Sequence, residues 1–239
     1  MPANPPTVPE PEPATMESAA SAKAQLDDAL REAAFRYALE VADDERALHL
    51  TVYSSRPPFD GTVEAATEWL RRSGIDATAA RDEQTFRVVL TFASADSVHT
   101  LIAAQLQPWS TARTTAQQLE DVLSDLGVDS TVDVGTKYLN LHLTEDELGP
   151  AITLARLLGA PGLGEGLQLS HRRGIRRLTE RIQWLITGVV GSEVSAEAEP
   201  ACWHEPDRLT IEVSLDQARR LTERLRLAEV ADLRNGASQ

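Results

Sequence analysis

The chain has 239 residues, of which 42% are hydrophobic and 25% charged, and a formal net charge of -14. That length fits one large core or two smaller ones, since single cores span about 100–200 residues, and the composition is that of a folding chain, which excludes a wholly disordered one. The acidity argues against a general nucleic-acid or anionic-membrane surface, because both need clustered Lys and Arg to neutralise phosphates.

The charge is unevenly placed. Residues 1–167 carry 12 basic and 26 acidic side chains, whereas residues 168–227 carry 10 and 9, so a nearly neutral, arginine-rich segment follows an acidic one. A single cysteine, Cys202, excludes an intramolecular disulfide and fits a reducing compartment. The Met-Pro-Ala-Asn-Pro-Pro start has neither a basic n-region nor an apolar h-region, and the apolar run from Trp184 to Val190 is far below the roughly 20 residues that cross a bilayer. The expectation is a cytoplasmic protein that does not enter the membrane.

The first fifteen residues hold six prolines and read as a disordered, Pro-rich tail. A helix is predicted from about Met16 to Ala34. It leads into a strand through Phe35, Tyr37, Leu39 and Val41, a turn at Asp43-Asp44-Glu45, and a second strand with Leu48, Leu50 and Val52. Ser54-Ser-Arg-Pro-Pro58 then breaks the chain, so this first unit lacks a closing helix.

From Thr62 an internal repeat is visible. A shift of 53 residues lays Thr62–Gln105 on Thr115–Leu158 without a gap, matching Leu70 with Leu123, Gly74 with Gly127, Asp76 with Asp129, Leu90 with Leu143 and Leu101 with Leu154. In the second copy, Leu119, Val122, Leu123 and Leu126 have helical spacing, and Gly127 supplies the left-handed cap. Val128 to Val134 and Leu139, Leu141 and Leu143 alternate at period two around Gly135-Thr136-Lys137, a hairpin with one buried face. Thr144-Glu-Asp-Glu147 has the form of a capping box opening a helix with Leu148, Ile152, Ala155 and Leu158.

The stretch from Gly159 to Leu167 reads as a linker near 159–168. Its glycines do not make a phosphate loop, because they follow a helix rather than a strand and no lysine accompanies them. A degenerate third copy comes next. Leu178, Ile182, Leu185 and Ile186 give a helix stopping near Gly188, and Val194, Ala196 and Ala198 pair with Leu209, Ile211 and Val213. Ser214-Leu-Asp-Gln217 then caps a last helix with Ala218, Leu221 and Leu225.

The predicted class is therefore α+β, with repeated helix–β-hairpin–helix units and antiparallel sheets covered by helices on one face. The domains read as 16–110, with two hairpin units, and 111–228, with two more, followed by a flexible tail at 229–239. The order helix, hairpin, helix, hairpin, helix in residues 16–106 is similar to that of small chaperone-like and sensory binding modules. The likeness is one of fold order and does not fix function.

No catalytic, cofactor or metal motif stands out. His49 and His142 occupy matching places in Leu48-His-Leu50 and Leu141-His-Leu143, where the other units carry Val89 and Glu212. If the units formed one sheet, the two imidazoles would share a surface. Cys202-Trp203-His204-Glu205 joins a thiol, an imidazole and a carboxylate, with Cys202 and His204 on one side of an extended chain. A hydrolase-type enzyme would have to use His49 and His142, or Cys202 and His204. The cationic run from His171 to Arg181 places Arg173, Arg176, Arg177 and Arg181 at spacings of three or four, a stripe for phosphate or carboxylate groups, and a nucleic-acid-associated protein would use it. Arg219, Arg220, Arg224 and Arg226 stand ready to join it. The reading favoured by the whole is a non-catalytic protein-binding or regulatory scaffold, with Arg173, Arg176, Arg177, Arg181 and Trp203 as the partner-binding residues.

Overall fold

A computed structural model describes residues 16–42, 47–53, 61–201 and 206–236. The predicted tail at 1–15, the turn at Asp43-Asp44-Glu45, the break at Ser54–Pro58 and the cluster from Cys202 to Glu205 lie outside the described residues. The chain is α+β, with seven α-helices and two four-stranded antiparallel sheets among the described residues. It divides into two compact units between Ser110 and Thr111.

In the first unit, α1 (Met16–Glu32) leads to the hairpin β1 (Tyr37–Val41) and β2 (Leu48–Val52), and α2 (Val63–Arg72) to the hairpin β3 (Ala77–Arg81) and β4 (Val88–Phe92). The strand order is β1-β2-β4-β3, so the two hairpins join through β2 and β4, with Leu48 opposite Phe92 and Leu50 opposite Leu90. Thr62 opens α2 by accepting the Ala65 N–H. Ser94 does the same for Ser97 at the start of α3 (Ala95–Leu101), which passes through a π-helical turn at Ile102–Leu106 into α4 (Gln107–Asp125). Leu26, Leu30, Leu50, Phe92, Val98, Leu101 and Leu106 form a common core between helices and one sheet face.

The second unit repeats this order. α4 precedes β5 (Thr131–Val134) and β6 (Tyr138–Thr144), and α6 (Arg172–Val190) precedes β7 (Ser195–Glu199), β8 (Arg208–Ser214) and α7 (Leu215–Gly236). Between the hairpins stands an additional short helix, α5 (Gly149–Leu157). The strand order β5-β6-β8-β7 again joins the hairpins through their second strands. Leu139, Leu141 and Leu143 meet Val213, Ile211 and Leu209 across that seam, all fully buried, as period-two alternation requires of an inner face. Gly127 follows α4 at φ +72°, a conformation costly for any residue with a Cβ.

The 53-residue shift carries α2, β3 and β4 onto the end of α4, β5 and most of β6, which is a match in the order of elements. Each compact body is larger than that segment, because two hairpins share each sheet. The glycine-rich stretch 159–168 lies inside the second unit, where Leu163 and Leu167 pack on the core.

Two local expectations are corrected, and the condition set on the two histidines is not met. Thr144 ends β6 and caps nothing; Glu147 and Leu148 adopt left-handed backbone at φ +58° and +52°, and the Glu147 N–H is accepted by Asp207 Oδ2. α6 runs through Gly188 and stops at Gly191, φ +76°. Its interior tolerates Gly188 because the buried stripe of Ile182 and Ile186 before it continues at Val190 beyond it. The strands form two separate sheets, so His49 and His142 do not share one.

Candidate functional site

α6 owes its position to a stripe of Ile175, Leu178, Thr179, Ile182, Ile186 and Val190, all buried, at helical spacing. Gly174 belongs to the same stripe. A Cβ there would collide with the Gln168 carbonyl, so only glycine lets the preceding loop cross the helix this closely. The opposite face is open to solvent and carries the predicted arginines.

Those arginines separate into two kinds. Arg176 pairs with Glu180 at 3.1 Å, and Arg181 donates Nη1 to the Leu163 carbonyl at 2.6 Å, fastening the 159–168 stretch to the helix. Arg173 and Arg177 are exposed and have no ion-pair or hydrogen-bond partner among the described residues. On the same face, seven residues after Arg177, stands Trp184, 77% exposed and the most exposed of the large hydrophobic side chains described. The first turn of α6 holds no acidic residue and no side-chain cap, so Arg172, Arg173 and Arg176 sit at the positive end of the helix dipole. Such placement costs about 0.3–1 kcal/mol per charge at low ionic strength. Of the arginines on α7, Arg219 pairs with Asp216, and Arg220 donates to the Val190 carbonyl, capping the end of α6.

The histidines have local partners. His49 Nδ1 lies 3.0 Å from Thr91 Oγ1 across β2 and β4, and His142 Nδ1 lies 3.0 Å from Thr210 Oγ1 across β6 and β8. His142 Nε2 also meets Asp133 Oδ2 at 3.2 Å. The two imidazoles occupy equivalent places in separate sheets, on the faces turned away from the cores. Among the described residues no group of three or more His, Cys, Asp or Glu is arranged to hold a metal ion. Cys202, Trp203 and His204 fall outside the described residues.

A groove of about 500 Å³ runs between α1 and the α3–α4 helix within the first unit. His99 Nε2 meets Gln25 Oε1 at 2.7 Å at one end, and Ser110 Oγ meets Glu32 at 3.5 Å at the other. The π-helical turn forms one wall, and such turns often mark functional sites. A second cleft, of about 590 Å³, is bordered by Glu120, Asp121 and Asp129; Glu120 is engaged there by the Val132 N–H at 2.7 Å.

The β3–β4 turn displays another aromatic. Phe86 is 69% exposed and has φ +58°, a region that costs a side-chain-bearing residue roughly 1–2 kcal/mol. The turn holds it there: Asp82 Oδ1 accepts the N–H groups of Gln84 and Thr85 and the Thr85 hydroxyl, and Asp82 O accepts the Phe86 N–H. The Thr85 N–H is the largest of the influences that lower the Asp82 pKa, followed by the Thr85 hydroxyl. Arg81 lies over the Phe86 ring at 5.6 Å and Arg87 over Tyr53 at 4.8 Å.

No protein-family model matches the chain, and no curated protein matches it significantly. No helix among the described residues is long and apolar enough to cross a membrane. Sequence reasoning missed Trp184 because it opens the run Trp184–Val190 and reads there as core. The signal was its phase: Trp184 falls on the arginine side of the helix, one to two turns from Glu180 and Arg177.

Proposed function

We propose that the chain is a non-catalytic protein-binding scaffold whose docking surface is the solvent face of α6, and that the partner presents an acidic surface. The observation that carries this reading is Trp184, 77% exposed, in line with two guanidinium groups that have no partner among the described residues. Trp and Arg are the residues that most often dominate binding energy at protein interfaces. Arg fits carboxylates bidentately, and the positive end of the α6 dipole adds to the attraction. A chain of net charge -14 that carries arginines without a partner among the described residues on one helix offers a local field opposite to its overall one.

The test compares the intact chain with an Arg173→Glu/Arg177→Glu/Trp184→Ala variant in affinity capture, with the bound proteins identified. The expected result is a protein with an acidic surface that the wild type retains and the variant loses, with binding that weakens as salt rises. An identical set of retained proteins would refute the assignment of this face. Oligonucleotide binding at low salt that the same variant abolishes would replace the protein partner with a nucleic acid.

A further inference from the structure

We propose that the first unit binds a second copy of this chain, with the Phe86 turn of one copy seated in the groove between α1 and the α3–α4 helix of the other. The interface is distinct from the α6 face and does not rest on it.

The knob is built at a cost to the fold. Hairpins with this kind of turn usually place glycine or asparagine in the left-handed position. Phenylalanine stands there instead, held by the Asp82 turn and largely exposed. Arg81 and Arg87 flank it and neither makes a carboxylate ion pair among the described residues; Arg81 donates Nε to the Phe86 carbonyl at 3.3 Å and, after the Glu64 N–H and the Thr62 hydroxyl, its charge contributes to lowering the Glu64 pKa. A bulky side chain in a strained backbone region, pointed at solvent, is an outlier from which a binding role is a reasoned inference.

The groove complements it in shape and charge. Ala29, Ile102, Ala103 and Leu106 supply an apolar floor, and Asp28 and Glu32, one helical turn apart on α1, supply acidic edges. A cavity of about 150 Å³ already accepts a benzene ring, so a groove of about 500 Å³ has room for Phe86 and the stem of an arginine. Among the described residues Glu32 has only the Ser110 hydroxyl at 3.5 Å, and Asp28 shares Arg31 with Asp27, so both carboxylates can accept a further guanidinium. One chain thus carries an aromatic flanked by two arginines that make no carboxylate ion pair among the described residues, and an apolar groove edged by two carboxylates. That complementarity selects a second copy over a foreign peptide.

The experiment is sedimentation equilibrium of the full chain from low to high micromolar concentration at about 0.15 M salt, where screening within about 8 Å confines electrostatic effects to close pairs. The wild type is expected to self-associate. Phe86→Gly is expected to weaken association at least about tenfold while its melting temperature stays unchanged or rises by up to about 4 °C, since glycine relieves the backbone. Arg81→Glu/Arg87→Glu and Asp28→Arg/Glu32→Arg should each be monomeric alone and should form a one-to-one heterodimer when mixed. A wild type that stays monomeric throughout, association indifferent to Phe86→Gly, or a charge-swapped pair that fails to combine would each overturn the proposal. Loss of association on Trp184→Ala, with Phe86→Gly without effect, would overturn it in favour of self-association through the α6 face.

Discussion

Asp207 Oδ2 accepts the N–H of Glu147 at 3.0 Å, joining the end of β6 to a residue 60 positions later in the chain. The other oxygen, Oδ1, takes the Ala201 N–H at 2.6 Å, and the Asp207 carbonyl takes that of Glu145. This buried carboxylate therefore holds two connections and fixes the left-handed pair Glu147 and Leu148.

Replacing Asp207 with alanine strands two backbone donors. Two fully buried donors would cost about 2–6 kcal/mol at about 1–3 kcal/mol each; these two are part-buried, so the loss in urea denaturation should fall at the lower end of that range. Asp207→Asn, which keeps one acceptor oxygen, should lose less. Equal losses in the two variants would show that the carboxylate's shape rather than its hydrogen bonds matters.

That contact also marks where reading the sequence stops. Leu139, Leu141, Leu143, Leu209, Ile211 and Val213 announce their strands by alternation, and Leu178, Ile182 and Ile186 announce α6 by helical spacing, because both patterns are local. Thr144 and Glu147 have the spacing of a capping box, yet a carboxylate 60 residues away satisfies the Glu147 N–H instead. No local pattern encodes that competitor. The seam between β2 and β4, and between β6 and β8, is equally invisible in local spacing: the sequence indicated two hairpins in each half, but not which strands join them. For the candidate site, the arginine stripe was legible, but its division into paired Arg176 and Arg181 and unpaired Arg173 and Arg177 depends on where Glu180 and the Leu163 carbonyl lie in space.

The capping box at Ser214 does form. The Gln217 N–H is donated to Ser214 Oγ at 3.3 Å, and the Ser214 N–H to Gln217 Oε1 at 2.7 Å. Ser214→Ala should cost about 1 kcal/mol. Gln217→Ala should cost a similar amount, since its amide also reaches Ser192 and the Glu193 carbonyl. The double variant should fall short of the sum, a coupling that a double-mutant cycle by thermal denaturation would measure.

Gly174→Ala forces a methyl group against the Gln168 backbone. Alanine's better helix propensity gains at most about 1 kcal/mol. Overpacking against backbone costs about 1–3 kcal/mol, so the net effect should be destabilising and should loosen the loop before α6. Hydrogen exchange across residues 163–175 would report that loosening; unchanged protection would contradict it.

Asp82 gives a signed pH effect. Its pKa is lowered from 3.8, chiefly by the Thr85 N–H, so the unfolded chain takes up a proton there before the folded chain does. The stability it contributes is fully present above that unfolded value and is lost as pH falls through the lower, folded one. NMR titration of the Asp82 carboxyl should find its midpoint below 3.8, and Asp82→Ala should flatten the acid limb of the stability curve. A midpoint at or above the ordinary carboxylate value would contradict the turn geometry.

The π-helical turn at Ile102–Leu106 sets Leu106 five positions after Leu101, both fully buried, where a regular helix would return to the same side after three or four. The helix therefore contains one more residue than its buried face requires, and that surplus sits in the wall of the groove. Shortening the chain by Ala103 would restore the ordinary repeat, keep the flanking leucines inward and narrow the groove. The length of this segment, as much as its side chains, shapes the recess of the first unit.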